Sequence, residues 1–556
     1  MGNSSSITKP EELVRFRKLN TSFDDVDIPA RPENRTLTDK KGFVIFGICI
    51  LLLLPFVIYA LTKSDLRHLD SGYDDCGNFC GYQNEKIEGI SCSGKDYTAQ
   101  PFSDNLKCVT QCPKDSLAGV CVDEEAQLDD IVEDSDFTET GSIVWRFIVS
   151  ILITISLSIV VLVLLRFIPA IVVWSCLVLT VLMLIAITFI LWFSVARAKD
   201  VNKGDFEEFS RNGVKFDVLT PLTALASIWT IIALVLIIII AVVFKKIKLV
   251  ILLFKEATKA LAAMPMLMLI PVTVTIIQFI VIVLFIVTTI YILAARQLVR
   301  LENGLYYYEV NGVIIFAFVF NLVMLNYVAR FFAGINYMVI SGSVSSWFFT
   351  RNKEYLGSPI LTSVSNTFKY HLGTVAFGSF LMLLFGFVKM IIKPLCRNAC
   401  CRCICMMCCT YVDILFQFLS ENAYIETGIH GQSYLRSAKR ATKLLLKNAK
   451  SVIAINCVGD FVLGIIVFLL AIVTSVISST LFASSGPIYV YGPICFIINL
   501  IIVVITFGVF QIIIDTLFIC FCEDSVINDG ISRPFYMTRG LMEFVEHSKK
   551  LYGEKY

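Results

Sequence analysis

The chain has 556 residues, of which 56% are apolar and only 17% are charged. Soluble globular proteins are about 45–50% apolar and about 25% charged, so the composition excludes this class and indicates a membrane protein. The net charge is only +2, from 47 basic and 45 acidic residues. This balance argues against a general nucleic-acid binder, which needs a basic surplus for its phosphate contacts.

The first 42 residues form a polar, charged tail. They contain no apolar run, so we expect no cleavable signal peptide, and the first apolar block acts as the insertion signal. The opening MGNSSS fits the short pattern for myristoylation of Gly2. Such a short pattern also occurs by chance. A myristoylated tail would lie in the cytosol.

Apolar blocks of about twenty residues follow along the rest of the chain, and each is long enough to cross a bilayer. Ten spans are predicted, at 43–62, 143–166, 170–195, 221–244, 266–294, 312–340, 371–392, 406–425, 453–480 and 493–521. We therefore expect an all-α polytopic membrane protein with about ten transmembrane helices. Its parts would be a cytosolic tail (1–42), a first helix (43–62), an extracellular cysteine-rich loop (63–142), a helical core (143–522, about nine helices) and a cytosolic tail (523–556).

The loop between the first two spans is the largest polar insert. It contains six cysteines, Cys76, Cys80, Cys92, Cys108, Cys112 and Cys121. Six cysteines in a polar loop of this length are typical of a small disulfide-bonded module in an oxidising compartment, which agrees with a cytosolic amino terminus. The alternative is a zinc site, but the spacings of CGNFC and CVTQC are loose for a zinc finger.

A second group of cysteines lies in CRNACCRCICMMCC (396–409). If this segment faces the cytosol, Cys400 and Cys401 are candidates for palmitoylation. A thiolate metal cluster and simple helix packing are the alternatives. The sidedness of 386–430 stays open, because its basic residues would lie outside under a ten-span count, against the preference of Lys and Arg for cytosolic loops.

Catalytic motifs are absent from the sequence, which has no P-loop, no G-x-S-x-G and no H-E-x-x-H. Its four histidines lie in different segments, so no acid–base or metal constellation is evident. We expect neither an enzyme nor a bound cofactor or metal.

Polar side chains inside the predicted spans are costly in hydrocarbon, so they should face a water-filled path or one another. The candidates for a substrate path are Asp460, Asp515, Asn456, Gln511, Asn326 and Gln278. Glu421 belongs to the wider set of such groups. Acidic groups outnumber basic ones in the spans, which favours a cationic solute. The alternative is that these residues hydrogen-bond between helices and only fix the packing.

Aromatic faces bind ammonium groups that cannot donate hydrogen bonds. Trp229 and Tyr291 are the aromatic candidates for the path, and Tyr337 is another aromatic near a span. Anchoring in the bilayer interface is the alternative, since Trp and Tyr gather there. Prolines in AMPMLMLIP (263–271) interrupt the chain at the start of the fifth span, where freed backbone groups or bending could serve transport.

Several stretches in one order resemble the choline transporter-like proteins (solute carrier family 44). They are GYDDCGNFCG (72–81), LLFKEATKAL (252–261), YHLGTVAFGSF (370–380), 396–409 with ENAYIETGIHGQSYLRSAK (421–439), NCVGDFVLG (456–464), IDTLFICFCED (514–524) and NDGISRPFYM (528–537).

The resemblance implies about ten spans, cytosolic termini, a disulfide-bonded outer loop and facilitative transport of choline or a related organic cation such as ethanolamine. The expected location is the plasma membrane, with mitochondrial or endolysosomal membranes as alternatives. The expected partners are the small-molecule substrate and the lipid bilayer, without nucleic acid. A membrane scaffold or receptor that uses the outer loop is the alternative function.

Overall fold

The computed structural model describes residues 34–102, 107–112, 115–117, 120–122, 137–201, 219–243, 247–302, 304–395, 399–447, 449–481, 488–528, 534–538, 540 and 542. Helices dominate this part of the chain, as the sequence predicts. The myristoylation candidate Gly2 lies outside the described residues.

The elements follow one another with short connections. Those of the first half are α1 (Lys40–Lys63), α2 (Arg67–Asp70), β1 (Asp115–Leu117), β2 (Val120–Val122), α3 (Phe137–Phe167), α4 (Pro169–Val201), α5 (Leu219–Val243), α6 (Ile247–Ala263) and α7 (Leu269–Ala294). Those of the second half are β3 (Gln297–Arg300), β4 (Tyr306–Glu309), α8 (Gly312–Phe349), α9 (Pro359–Asn366), α10 (Leu372–Leu395), α11 (Ala399–His430), α12 (Tyr434–Lys447), α13 (Ala449–Leu481) and α14 (Ile488–Ile527). Strands β1 and β2 form one antiparallel pair, and β3 and β4 form another.

Nine helical segments within the described residues are long and apolar enough to cross a membrane. They are Lys40–Lys63, Trp145–Phe167, Pro169–Arg197, Pro221–Ile238, Pro265–Ala294, Gly312–Phe349, Pro359–Phe387, Gly459–Leu481 and Gly492–Ile527. The remaining predicted span, 406–425, lies in α11, which is a helix of 32 residues but is not among the nine. The polytopic all-α fold is therefore confirmed.

Residues before α1 fix one end of the helix bundle, which we call the tail side. Arg35 Nη2 donates to the carbonyl of Gly428 at 2.7 Å, at the end of α11. The backbone N–H of Thr38 donates to Tyr370 O at 2.9 Å, just before α10. The carboxylate of Asp39 accepts the N–H of Tyr434 at 2.7 Å, at the start of α12. The start of α1, the start of α10 and the end of α11 therefore lie at the same side.

The opposite end of α1 defines the loop side. Ser64, after α1, forms an isolated bridge with Ala295, after α7. The six cysteines of the loop are joined here as Cys76–Cys92, Cys80–Cys108 and Cys112–Cys121. None of these six sulfurs is left for zinc. Because disulfides persist in oxidising compartments, the loop side faces outward and the tail side faces the cytosol.

Aromatic contacts hold the disulfide module on the β3–β4 hairpin. The hydroxyl of Tyr308 donates to Gly77 O at 3.0 Å, and the N–H of Tyr306 donates to Asp75 O at 2.8 Å. The His68 ring packs edge-on against Tyr308, with 4.2 Å between the ring centroids. Ring contacts of this kind contribute about 0.5–1.5 kcal/mol beyond the area that they bury.

We expect the module to loosen as the pH falls. Burial, followed by the charge of Arg296, lowers the pKa of His68 to about 4, from 6.5. A lowered histidine pKa means that the folded state resists protonation, so the stabilisation is complete above pH 6.5 and is lost as the pH falls from there towards 4. Proteolysis of the module in the wild-type chain should accelerate between pH 7 and pH 5. In His68→Phe this acceleration should disappear, and its persistence would contradict the role of His68.

A close contact between α1 and α10 needs two glycines. A Cβ at Gly42 would lie 2.7 Å from Gly373 O, and a Cβ at Gly373 would overlap the backbone of Thr38 and Asp39. Small residues at this crossing let the two helix backbones approach each other, as in many membrane helix pairs.

Gly373→Ala should lower the free energy of unfolding by about 1–3 kcal/mol, because the added methyl group meets backbone that cannot rotate away. Gly464→Ala in α13 is the matched control, since its Cβ would meet no atom within 4 Å. The apparent melting temperature of the two purified variants measures the difference. Equal melting temperatures would contradict the close contact.

Candidate functional site

A cavity of about 210 Å³ lies between α7, α8 and α14. Its lining residues are Pro271, Thr275, Asn336, Tyr337, Val504, Ile505, Gly508, Val509, Gln511 and Ile512. This volume suits several waters or one small organic solute rather than a drug-sized ligand. Gly508 and Gln511 lie near the middle of the span Gly492–Ile527, where transporters place their substrate sites.

The helices present a different chemistry to each side of the cavity. Pro271 in α7 lies one turn after the short 3₁₀ segment Pro265–Met268. In α8, adjacent residues Asn336 and Tyr337 supply an amide and an aromatic ring. In α14, Gly508 contributes no side chain and a Cβ there would meet no atom within 4 Å, which leaves room in front of the helix.

Three carboxylates stand behind this lining, and they come from three helices. The Tyr337 hydroxyl donates a hydrogen bond to Glu421 in α11. The Gln511 amide donates to Asp460 Oδ1 in α13 at 3.3 Å. Asp515, one turn beyond Gln511 on α14, lies close enough to Asp460 and Glu421 to be repelled by both. The cavity therefore has negative charge one hydrogen bond behind its wall.

This arrangement favours a cation. Like charges at close range repel strongly where water is scarce, and a bound ammonium group would relieve that repulsion. Asn336 Oδ1 is buried, without a hydrogen-bond partner among the described residues. A buried acceptor left unpaired costs about 1–3 kcal/mol, so a donor on a bound solute would be stabilised there.

Three of the predicted path residues come together at this site, namely Asp460, Gln511 and Asp515. Gln278 lies on α7 almost one turn beyond the lining residue Thr275, outside the lining itself. The other predicted residues lie elsewhere or outside the described part of the chain.

Asn326 is exposed and accepts a hydrogen bond from Arg330 Nε at 2.9 Å, about three turns from Asn336 on α8. Tyr291 lies near the loop-side end of α7, and Trp229 lies on α5. Neither lines the cavity. The side chain of Asn456 lies outside the described residues.

Glu421 and Tyr337 belong to the wider polar and aromatic sets of the sequence but were not placed on the path. Gln417 and Glu421 share one face of α11 and are joined at 2.9 Å, a spacing that could have indicated a polar face. Asn336 has no comparable sequence signal. It becomes significant only because α8 and α14 enclose a cavity beside it.

A second polar cluster lies at the tail side and is fully buried. Arg440 in α12 makes two bonds to Glu523 in α14, at 2.6 Å from Nε and 2.8 Å from Nη2. His430 Nε2 lies 3.4 Å from both Glu426 Oε2 and Glu523 Oε1. Sequence reasoning missed this cluster, because its members come from three separate segments.

The cluster raises the question of a metal, because ligand atoms of Glu426, His430 and Glu523 all lie within 4.8 Å of one another. Arg440, however, engages both oxygens of Glu523 and lies 3.6 Å from Glu426. The guanidinium already occupies the cationic position between the two carboxylates. The group therefore fits a buried ion-pair network better than a metal centre.

Cys400 and Cys401 lie at the start of α11, and their side chains lie outside the described residues. Since the end of α11 contacts Arg35 at the tail side, the start of this helix is directed to the loop side. Their lipidation stays a prediction. A membrane-impermeant maleimide should label 400–409 in intact cells if this direction is correct. Protection until permeabilisation would restore the cytosolic location that palmitoylation requires.

Comparisons with known proteins agree on one family. A family model described as plasma-membrane choline transporter matches residues 227–526. Choline transporter-like protein 1 of Torpedo marmorata is 28% identical, covering 93% of this chain and 94% of the relative.

The same protein of Rattus norvegicus is 27% identical, covering 94% of each chain. Choline transporter-like protein 3 of Homo sapiens is 25% identical, covering 93% of this chain and 92% of the relative. These matches confirm the resemblance seen in the sequence and, with the apolar helices, support a multi-pass protein of the plasma membrane. The chain belongs to the plasma-membrane choline transporter family.

Proposed function

We propose that this protein is a facilitative transporter of choline and ethanolamine, and not an enzyme. The observation that carries the proposal is the cavity between α7, α8 and α14, with Tyr337 on its wall and Glu421, Asp460 and Asp515 behind it. Family membership supports choline in particular, since the relatives are named as choline transporter-like proteins.

A quaternary ammonium cannot donate hydrogen bonds, so it is best held over an aromatic face near negative charge. Tyr337 supplies such a face, and its hydroxyl is bonded to Glu421. Ethanolamine carries a primary ammonium group, which could also donate to the unpaired Asn336 Oδ1. Both solutes therefore have a physical reason to bind in this cavity, and ethanolamine gains a bond that choline cannot form.

We propose alternating access as the mechanism. One apolar core centres on α1, α8 and α10, with residues such as Phe46, Tyr327 and Val375. The other joins α3, α6, α13 and α14, with residues such as Phe254 and Phe510. Ile270 and Tyr337 pack against both cores beside the cavity. Rocking of one packed half against the other would open the cavity to each side in turn.

The test is uptake of radiolabelled choline into proteoliposomes that contain the purified protein. We expect saturable uptake that excess unlabelled choline or ethanolamine abolishes, while carnitine, a bulkier zwitterion, competes more weakly. Absence of saturable uptake would contradict transport and favour a scaffold or receptor. Uptake of choline that ethanolamine does not inhibit would contradict only the second substrate.

A further inference from the structure

The helix α12 (Tyr434–Lys447) lies at the tail side and turns two different faces to its surroundings. Its inner face is tied to the bundle. The Tyr434 hydroxyl is 2.6 Å from Ser420 Oγ, the Thr427 hydroxyl is 2.9 Å from Ser437 Oγ, and Arg440 pairs with Glu523.

These contacts fix which residues remain outside. The outward face carries Leu435, Arg436, Lys439, Lys443 and Leu446, all exposed. Leu435 is 62% exposed and Leu446 is 70% exposed, although each has a buried leucine or tyrosine beside it in the sequence. Exposed leucines that flank basic residues on one helix face are typical of a helix in the membrane interface.

The charge of this face has no counterpart in the protein. Among the described residues, no carboxylate lies within ion-pair distance of Arg436, Lys439 or Lys443, whereas Arg440 on the inner face is paired with Glu523. The helix is also at the depth of the bilayer surface, because Tyr434 bonds to Asp39 directly before the span that begins at Lys40. The cytosolic leaflet is the negatively charged one.

We propose that the outward face of α12 is a binding site for anionic phospholipid of the cytosolic leaflet. The three basic side chains contact phosphate and carboxylate groups of the lipid, and Leu435 and Leu446 enter the acyl boundary at either end of the helix. Because α12 is paired through Arg440 to α14, which lines the cavity, lipid bound here stabilises the tail-side arrangement of the bundle.

The experiment is native mass spectrometry of the full chain in non-ionic detergent, titrated with phosphatidylserine or phosphatidylcholine. The wild-type protein should bind phosphatidylserine at least about tenfold more tightly, since each basic residue near the surface contributes to anionic lipid attraction. The variant R436Q/K439Q/K443Q should lose this preference. The matched control K86Q/K95Q/K107Q removes three exposed basic residues of the disulfide module and should keep it.

Three results would overturn the proposal: no preference in the wild-type protein, an unchanged preference in the triple variant, or equal occupancy by soluble phosphoserine. If the triple variant does not fold, Lys439→Gln and Lys443→Gln are measured singly, and each should weaken phosphatidylserine binding by about threefold. The readout does not involve choline, so its failure is distinguishable from a failure of the proposed transport function.

Discussion

Asp515→Asn should reduce the efficiency of choline uptake about 100-fold while leaving the melting temperature unchanged or higher. Loss of one negative charge a few ångströms from a bound cation costs about 2–3 kcal/mol at an effective dielectric constant near 20. The same change relieves the repulsion that Asp460 and Glu421 exert on Asp515 in the empty protein. Transport and stability are therefore expected to move in different directions.

This divergence separates a site residue from a packing residue. A carboxylate that only joins helices would lower the melting temperature when neutralised, and transport would fall with the folded yield. Asp75→Asn is the matched control, because it makes the same chemical change at an exposed position of the loop side. Wild-type uptake by Asp515→Asn would contradict the role of the carboxylates.

Arg440→Met should be the most destabilising single change at the tail side. It would leave Glu426 and Glu523, both fully buried, without their counter-charge. Removal of one partner of a buried ion pair costs about 3–5 kcal/mol. We expect a sharp loss of folded protein on size-exclusion chromatography and a lower apparent melting temperature.

A second substitution tests the cause. Arg440→Met combined with Glu523→Gln removes both charges and should recover much of the lost stability, since replacing a whole buried pair is often nearly neutral. Lys369→Met is the control for loss of an exposed basic residue at the same side. If Arg440→Met is as stable as Lys369→Met, the network does not hold α12 to α14.

The fold was largely predictable because hydrocarbon imposes simple rules on a sequence. Blocks of about twenty apolar residues define the spans, and the polar cysteine-rich loop has few alternatives to a disulfide module. The span at 406–425 was harder to recognise. Asp413 and Glu421 lower its hydropathy, and one of these carboxylates belongs to the site.

Part of the site was predictable for the same reason. Asp460 and Asp515 are expensive in a membrane, so their presence indicates a function or a polar contact. Neutral side chains give a weaker signal: Asn326 is bonded to Arg330, and Asn336 lines the cavity, although both lie on α8. Only the packing of α7 and α14 against α8 distinguishes them.

Contacts between distant segments were beyond sequence reasoning. Arg35 reaches Gly428, and Arg440 reaches Glu523, without any periodic pattern that links them. Such pairs depend on the relative direction of several helices, which hydropathy does not encode.

Equilibrium binding of radiolabelled choline to the purified protein tests the central claim most directly, when the cavity is blocked by Gly508→Phe. A Cβ at Gly508 meets no atom within 4 Å, so the phenyl ring would occupy the cavity rather than displace the backbone. Gly464→Phe, which also has open space at its Cβ but lies away from the lining, is the control. We predict saturable binding in the wild-type protein and in Gly464→Phe, and none in Gly508→Phe at an unchanged melting temperature. Wild-type affinity in Gly508→Phe would place the substrate elsewhere and contradict the account.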